Sequence, residues 1–204
     1  FRALHVIDTA LTSSLQLDRV LNLILEKAVF LVGAEHGSLR LFSSETGELV
    51  LKAHLGEGWT PEIKAYRFRV GQGITGWVAQ HHRPYLCHDA HQDPQNVMLF
   101  EEMRSGVAVP LLTHFEGEPD REELLGVLLL ESTRPHAFDP HDVERLRIGF
   151  CEQRLDRLPV GEGRTAGVEL VAVSGAAGRD AEARLAGAEP EHGDADEAGD
   201  GLED

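Results

Sequence analysis

Three groups of residues in this chain have types and spacings that could do chemistry. The first is Arg69-Val70-Gly71-Gln72-Gly73-Ile74-Thr75-Gly76-Trp77-Val78-Ala79-Gln80, where three glycines hold the G-x-G-x-x-G spacing. That spacing cradles a dinucleotide phosphate when it follows a strand and opens a βαβ unit. Here the flanking segments read as antiparallel strands. The glycines are therefore expected to make a tight turn, since glycine reaches positive φ without steric cost. The turn leads into a short helix, Ile74 to Gln80, lying over a sheet. The second group is His81, His82, His88 and His91, with Asp89 and Asp93 close by. The spacing His88-Asp89-x-His91-x-Asp93 offers nitrogen and oxygen ligands to a metal, but such a run is more often a solvated loop, and no spacing rule marks a haem ligand. No metal is assigned to it, and the cofactor is left unknown. The third group is Cys87 and Cys151. Neither has a cationic sequence neighbour to lower its pKa, so both are expected to be small buried apolar residues.

The elements that must position these residues follow from periodicity. Phe1, Leu4, Ile7 and Leu11 form one helical stripe, which Thr12-Ser13-Ser14 is expected to break. A second helix carries Leu17, Val20, Leu21, Ile24, Leu25, Ala28, Val29 and Val32, and stops at Gly33. Strand Gly37 to Phe42 puts Leu39 and Leu41 on one face and Ser38, Arg40 and Phe42 on the other. It pairs with Leu49 to Leu55 in a hairpin. Gly56 to Pro61 reads as a loop, Tyr66 to Val70 as a short extended run and Pro84 to His88 as a brief strand. Val97 to Arg104 reads as a short helix with Val97, Phe100 and Met103 on one face. Gly106 to Leu112 is a strand, and Thr113 to Glu123 a charged loop. Leu124 to Ser132 is nearly continuously apolar, as suits a central strand covered on both faces. Gly126 within it marks a bulge or a close backbone approach. Asp139 caps a final helix with Pro140 at its first position, running to about Pro159.

The chain has 204 residues and a formal net charge of −16, which argues against nucleic acid and against an anionic membrane surface. No apolar run approaches a spanning helix and no signal peptide opens the chain, so a cytoplasmic setting is expected. Two cysteines are too few for a disulfide framework. The organisation expected is one folded domain over residues 1–158 and an acidic tail over 159–204. From Val160 onward there are twelve acidic and three basic residues and no aromatic one. Such a segment lacks the apolar surface to offset its ordering entropy and is expected to be disordered, apart from an isolated strand read at Val168 to Val173.

Taken in order, GAEHGSLRLF at the first strand, VGQGITGWVAQ at the turn, the Asp89 loop ending in Asp93-Pro94, RSGVAVPL from Arg104 to Leu111, and LLGVLLLES followed by FDPHDVERL resemble a GAF domain over residues 5 to 157. The resemblance implies an α+β fold: a six-stranded antiparallel sheet with terminal helices on one face and a lidded small-molecule pocket on the other. It also implies a regulatory module of a cytoplasmic signalling protein, dimerising through its terminal helices. An output domain would lie outside this chain, which begins at Phe1 rather than methionine. Cyclic-nucleotide binders of the family carry an Asn-Lys pair, a Phe and an Asp-Glu pair. Here Glu131-Ser132 stands at the first, Phe138 is kept, and Asp142 is followed by Val143. Members that reduce methionine sulfoxide have Cys in the glycine turn where this chain has Thr75. Haem, cyclic nucleotide and reductase chemistry are therefore the lesser readings, and the chain is expected not to be an enzyme.

The pocket residues implied are Ser38, Arg40 and Phe42 on the first strand, His54 ending the second, Ile74 and Thr75 in the turn, and His91, Phe100 and Met103 in the lid. Arg40 is singled out because a covered sheet rarely buries a cation without a partner. That partner is expected to be Asp89, Glu131 or the ligand. The domain is expected to bind an unidentified small molecule and pass the signal on through its terminal helices. The alternative is a ligand-free dimerisation or spacer module whose pocket is filled by side chains.

Overall fold

A computed structural model describes the backbone of residues 2–115, 118–151, 155–160 and 164–169, and the side chains of residues 17–112 and 123–146. Its order is α1 (Arg2–Val32), β1 (His36–Ser43), β2 (Glu48–Leu55), α2 (Pro61–Ala65), β3 (Phe68–Arg69), α3 (Gly73–His81), β4 (Tyr85–Cys87), β5 (Ser105–Phe115), β6 (Glu118–Ser132), α4 (Pro140–Cys151), β7 (Leu155–Val160) and β8 (Arg164–Glu169). Strands β1 to β6 make the expected antiparallel sheet, in the order β3-β2-β1-β6-β5 with β4 on the far side of β5. Beyond β5 the sheet continues into β8 and β7.

The sheet has two covered faces, and strand alternation sorts the residues between them. On one face Leu21, Ile24, Leu25 and Ala28 of α1 and Leu146 of α4 pack on Leu39, Ala53, Val107, Val109, Leu128 and Leu130. On the other, Ile74, Val78 and Ala79 of α3 pack with Leu49, Phe68, Cys87, Ala108 and Val127. β6 lies between β1 and β5 and feeds both cores, as its apolar run predicts. Gly126 is a close approach: a Cβ there would lie 2.2 Å from the Arg40 carbonyl oxygen. The register of β6 against β5 also shifts beside it.

Several expectations need correction. The break at Thr12-Ser13-Ser14 is absent: α1 is continuous over 31 residues. Serine and threonine cost a helix only a fraction of a kcal/mol, roughly half of one, so two apolar stripes separated by three of them join into one helix when no glycine or proline intervenes. The loop Gly56 to Pro61 runs into a helix that periodicity did not show, α2. Thr60 caps it through Oγ1 to the Ile63 amide, 3.3 Å, and Pro61 occupies its first turn. Val97 to Arg104 is not a helix but an irregular segment with one turn, Met103 N to Phe100 O at 3.3 Å; it lacks the cap and first-turn proline that start α2, and the side-chain amide of the preceding Asn96 is spent on Ala90 O. The charged loop Thr113 to Glu123 is mostly strand, extending the β5–β6 hairpin. The last helix ends at Cys151 rather than near Pro159. Arg164–Glu169, within the tail expected to be disordered, is a strand hydrogen-bonded to β5, so ladder pairing there outweighs an unfavourable composition. Residues 170–204 lie outside the described residues.

Candidate functional site

A small cavity lies on the α3 face of the sheet. β1 contributes Ser38 and Arg40, and β6 contributes Leu129 and Glu131. Phe68 of β3 and Ile74 and Thr75 of α3 form one wall. Trp59 and the segment carrying Asn96, Val97, Leu99 and Phe100 close it. The enclosed space is about 20 Å³, on the order of what one ordered water needs.

The glycine turn delivers Ile74 and Thr75 to this wall. Gly71 and Gly73 have φ of 85° and 65°, the left-handed region that a tight turn needs. Gly76 is pressed against β3, where a Cβ would lie 2.3 Å from the Arg69 carbonyl. Gly71 N donates to Gly76 O at 2.8 Å, closing the turn. Gln72 locks it to β3 by accepting from Arg69 N (3.1 Å) and donating to the Tyr66 hydroxyl (2.9 Å). These contacts are those of a rigid turn, as expected, and they place the first turn of α3 against the cavity.

Arg40 is only 1% exposed. Its Nη1 donates to the Tyr66 carbonyl at 3.0 Å, and its guanidinium carbon lies 4.9 Å from the centroid of the Phe68 ring. Its Nε has no hydrogen-bond partner. Burial pushes its pKa down to about 10, against the pull of Glu131 and Tyr66. Asp89, one expected partner, is taken: Arg104 holds it in a two-pronged contact at 3.0 and 3.3 Å. Glu131 is the remaining one. The two attract each other, yet no ion pair joins them among the described residues. Glu131 is half-buried, and burial raises its carboxyl to about 7 despite Arg40, with Glu102 adding to the rise. Thr75, also 1% exposed, has a buried hydroxyl with no partner. Arginine can only donate and a carboxylate only accept. The cavity therefore presents unsatisfied donors from Arg40 and Thr75 and an acceptor from Glu131.

The lid is more firmly held than its polar sequence suggests. Ala90 N donates to Arg104 O at 2.7 Å, and the Asp89–Arg104 pair closes the same two ends, making residues 90–103 a clasped loop. Asn96 Nδ2 donates to Ala90 O at 2.9 Å, and the Tyr85 hydroxyl donates to Asp93 at 3.0 Å. Phe100 stands edge-on to Trp59 (5.0 Å) and to His36 (4.4 Å), and the buried His36 Nδ1 has no partner.

Of the pocket residues read from sequence, Ser38, Arg40, Ile74, Thr75 and Phe100 come together in this cavity. Phe42 packs against the α3-side core instead. His54 stacks on Trp59 at 4.9 Å, behind the cavity wall, and burial lowers its pKa, with Lys64 and His36 adding to the effect. His91 is exposed, its Nε2 against the Glu101 carbonyl at 2.9 Å, and Met103 is buried at the end of the lid without lining the cavity. Trp59, Phe68, Asn96, Val97, Leu99 and Leu129 were not anticipated. Leu129 shares strand parity with Glu131, and an acidic residue ending an apolar central strand is the signal for both. The loop residues Trp59 and Asn96 carry no such signal.

The other groups resolve locally. Phe138 belongs to the core under α1 and α4. Asp139 and Asp142 cap α4 reciprocally, Asp142 N to Asp139 Oδ1 at 3.1 Å and Asp139 N to Asp142 Oδ2 at 3.0 Å. Among the described residues no group of three or more His, Cys, Asp or Glu is placed to hold a metal ion. Cys87 is buried, and burial, followed by the charge of Asp93, pushes its thiol far up. The side chain of Cys151 lies outside the described residues.

The sequence model that describes the GAF domain matches residues 14–148. No curated protein matches the chain. Among solved structures, the GAF domain from Acinetobacter phosphoenolpyruvate-protein phosphotransferase is similar at 19% identity, with a TM-score of 0.54 over 67% of this chain and 78% of that one. The GAF domain from the phosphoenolpyruvate-protein phosphotransferase of Coxiella burnetii is similar at 23% identity, with a TM-score of 0.52 over 63% and 74%. Free methionine-R-sulfoxide reductase from Neisseria meningitidis in complex with its substrate also aligns, at 23% identity and a TM-score of 0.49 over 60% and 68%.

Proposed function

The chain belongs to the GAF domain family, and from that premise we propose that it is a non-catalytic sensory module that binds a small molecule in the cavity beneath residues 96–100. The observation that carries the reading is the pair of unsatisfied buried donors, Arg40 Nε and Thr75 Oγ1, on two residues that line the cavity. A buried polar group without a partner costs about 1–3 kcal/mol, and native structures keep few of them. A ligand acceptor there removes that cost. Binding that favours one lid position shifts the population by its differential affinity. β1 carries Arg40 on the cavity side and Leu39 against α1, so it links the site to the terminal helices that would pass the signal to an output domain. The buried thiol of Cys87, held in its unreactive form, supports the non-catalytic reading. A cytoplasmic setting is part of the proposal; among the described residues no helix is long and apolar enough to cross a membrane. A homodimer is part of the proposal. The first eleven residues and the final helix were expected to form it, and α1 also exposes Leu23, Leu31 and Phe30, the last 89% exposed.

Native mass spectrometry of the full chain tests the reading. A stoichiometric small molecule is expected, lost on Arg40→Met. A protein that carries nothing, and that no compound in a broad thermal-shift screen stabilises, overturns it. The second reading, a ligand-free spacer module, draws on the small size of the cavity and its closure by Trp59, Phe68 and Phe100.

A further inference from the structure

The cavity contains one basic and one acidic side chain that do not neutralise each other directly. Arg40 on β1 lies opposite Val127 of β6, and Ser38 lies opposite Leu129. Glu131 is four residues beyond Val127 on the same strand, so its backbone stands roughly 13 Å along the sheet from the Arg40 register at about 3.3 Å per residue. The two side chains therefore enter the cavity from opposite ends, with Ser38 and Leu129 between them. Arg40 Nε and Thr75 Oγ1 are both unsatisfied, and no residue pairs with Glu131 within ion-pair distance among the described residues.

We infer that the cavity selects a small zwitterion, with an anionic acceptor group seated against Arg40 and Thr75 and a cationic group facing Glu131. The inference rests on the sensory reading above and narrows its ligand. An anion alone would satisfy Arg40 but meet the like charge of Glu131 in a poorly solvated space. A cation alone would meet Arg40. Like-charge juxtaposition disfavours both. A neutral polar molecule avoids repulsion but leaves both charges without a full counter-charge, which is costly under burial. A zwitterion answers both ends and adds no net charge. The donors fix its orientation, because arginine offers no acceptor. The space of about 20 Å³ admits little more than a water, so the ligand is small and enters as Val97, Leu99 and Phe100 withdraw. Free α-amino acids and fully N-methylated betaines share this chemistry.

The test uses the full chain at pH 8, where Glu131 is mostly ionised, and a matched panel read by thermal shift and titration calorimetry. Each zwitterion is compared with its own singly charged counterparts: glycine with acetate and methylamine, L-alanine with propionate and ethylamine, L-valine with isovalerate and isobutylamine, and trimethylglycine with acetate and tetramethylammonium. At least one zwitterion is expected to bind about tenfold or more tightly than either singly charged counterpart, the worth of one charge-assisted hydrogen bond. Trimethylglycine against glycine separates a bare cation from an N–H donor. Glu131→Gln is expected to abolish the preference of the amino acid over its carboxylate. If that variant fails to fold, the wild-type comparison decides alone. A carboxylate that binds as tightly as its amino acid overturns the inference. So does an unresponsive panel: if mass spectrometry then finds a ligand of another class, the sensory reading stands without it, and if the protein is empty both fall.

Discussion

Replacing Thr75 with valine keeps the shape of the side chain and removes one hydroxyl. In the ligand-free protein that hydroxyl is buried and unpartnered. Leaving a buried polar group unsatisfied costs about 1–3 kcal/mol, and removing it in favour of an apolar group of equal shape returns part of that. The neighbours Ile74 and Phe68 are apolar and accept the extra methyl. Thr75→Val should therefore stabilise the empty protein by about 1 kcal/mol, raising the melting temperature by about 2–4 °C for a chain of this size. The same change deletes a donor from the site, so ligand affinity should fall by about tenfold. The assay is urea denaturation of protein stripped of ligand, with calorimetry on the same samples. A loss of 1 kcal/mol or more would refute the reasoning, because it would mean that the hydroxyl is already satisfied, most simply by a water in the cavity. A larger residue such as tryptophan is not a useful probe, since the cavity has no volume to receive it.

Gly126→Ala should cost about 3 kcal/mol or more, at or beyond the upper end of overpacking penalties, because the new Cβ meets the Arg40 carbonyl at 2.2 Å; Gly33→Ala, with nothing within 4 Å and φ of +66°, should cost only about 1 kcal/mol, and equal urea midpoints for the two would contradict this. Glu131 titrates near 7 in the folded chain against an ordinary 4.5, so its proton is held more tightly when folded: its stabilising contribution is complete below about pH 4.5 and is lost as pH rises through 7, by up to about 3 kcal/mol. Urea midpoints measured from pH 5 to 8 should show that decline in the wild type and a flatter profile in Glu131→Gln. Arg104→Met should release the clasp at the base of residues 90–103 and speed their amide exchange and proteolysis while the sheet stays protected; unchanged exchange there would show that the backbone bond from Ala90 to Arg104 suffices. Phe30→Glu should convert a dimer to a monomer in light scattering, and a wild type that is monomeric at high concentration removes the dimer from the proposal.

Sequence patterns were most informative where one physical cause acts alone. Alternation along β1 separated Leu39 from Arg40, because the pleat leaves no other choice of face. The uninterrupted apolar run of β6 implied a central strand, and Gly126 within it a close neighbour. The glycine turn was legible from its need for positive φ. Patterns failed where distant contacts decide. Val97 to Arg104 has helical spacing, but its apolar residues are used one by one to close a cavity, and the backbone follows them. The hairpin of β7 and β8 draws its order from the edge of β5, a distant contact that the local composition of that segment does not encode. Trp59 and Asn96 reach the cavity from loops, where no periodicity points to a target. The signal for α2 was local and present, in Thr60-Pro61-Glu62, but five residues are too short to register as a period.

An unbroken α1 has a mechanical consequence. At about 1.5 Å per residue its 31 residues span roughly 46 Å, and no glycine or proline lies between Arg2 and Val32 to serve as a joint. Such a helix is a lever whose short arm rests on the sheet through Leu21, Ile24, Leu25 and Ala28. The arm from that fulcrum to Arg2 is roughly 34 Å, so a tilt of about five degrees displaces the opposite end by about 3 Å, on the length given by the helical rise. It is also a screw: each residue inserted along it rotates whatever is joined beyond by about 100°. Insertions of seven residues would nearly preserve the angular phase and insertions of four would not, so phase, more than distance, is the quantity such a shaft delivers.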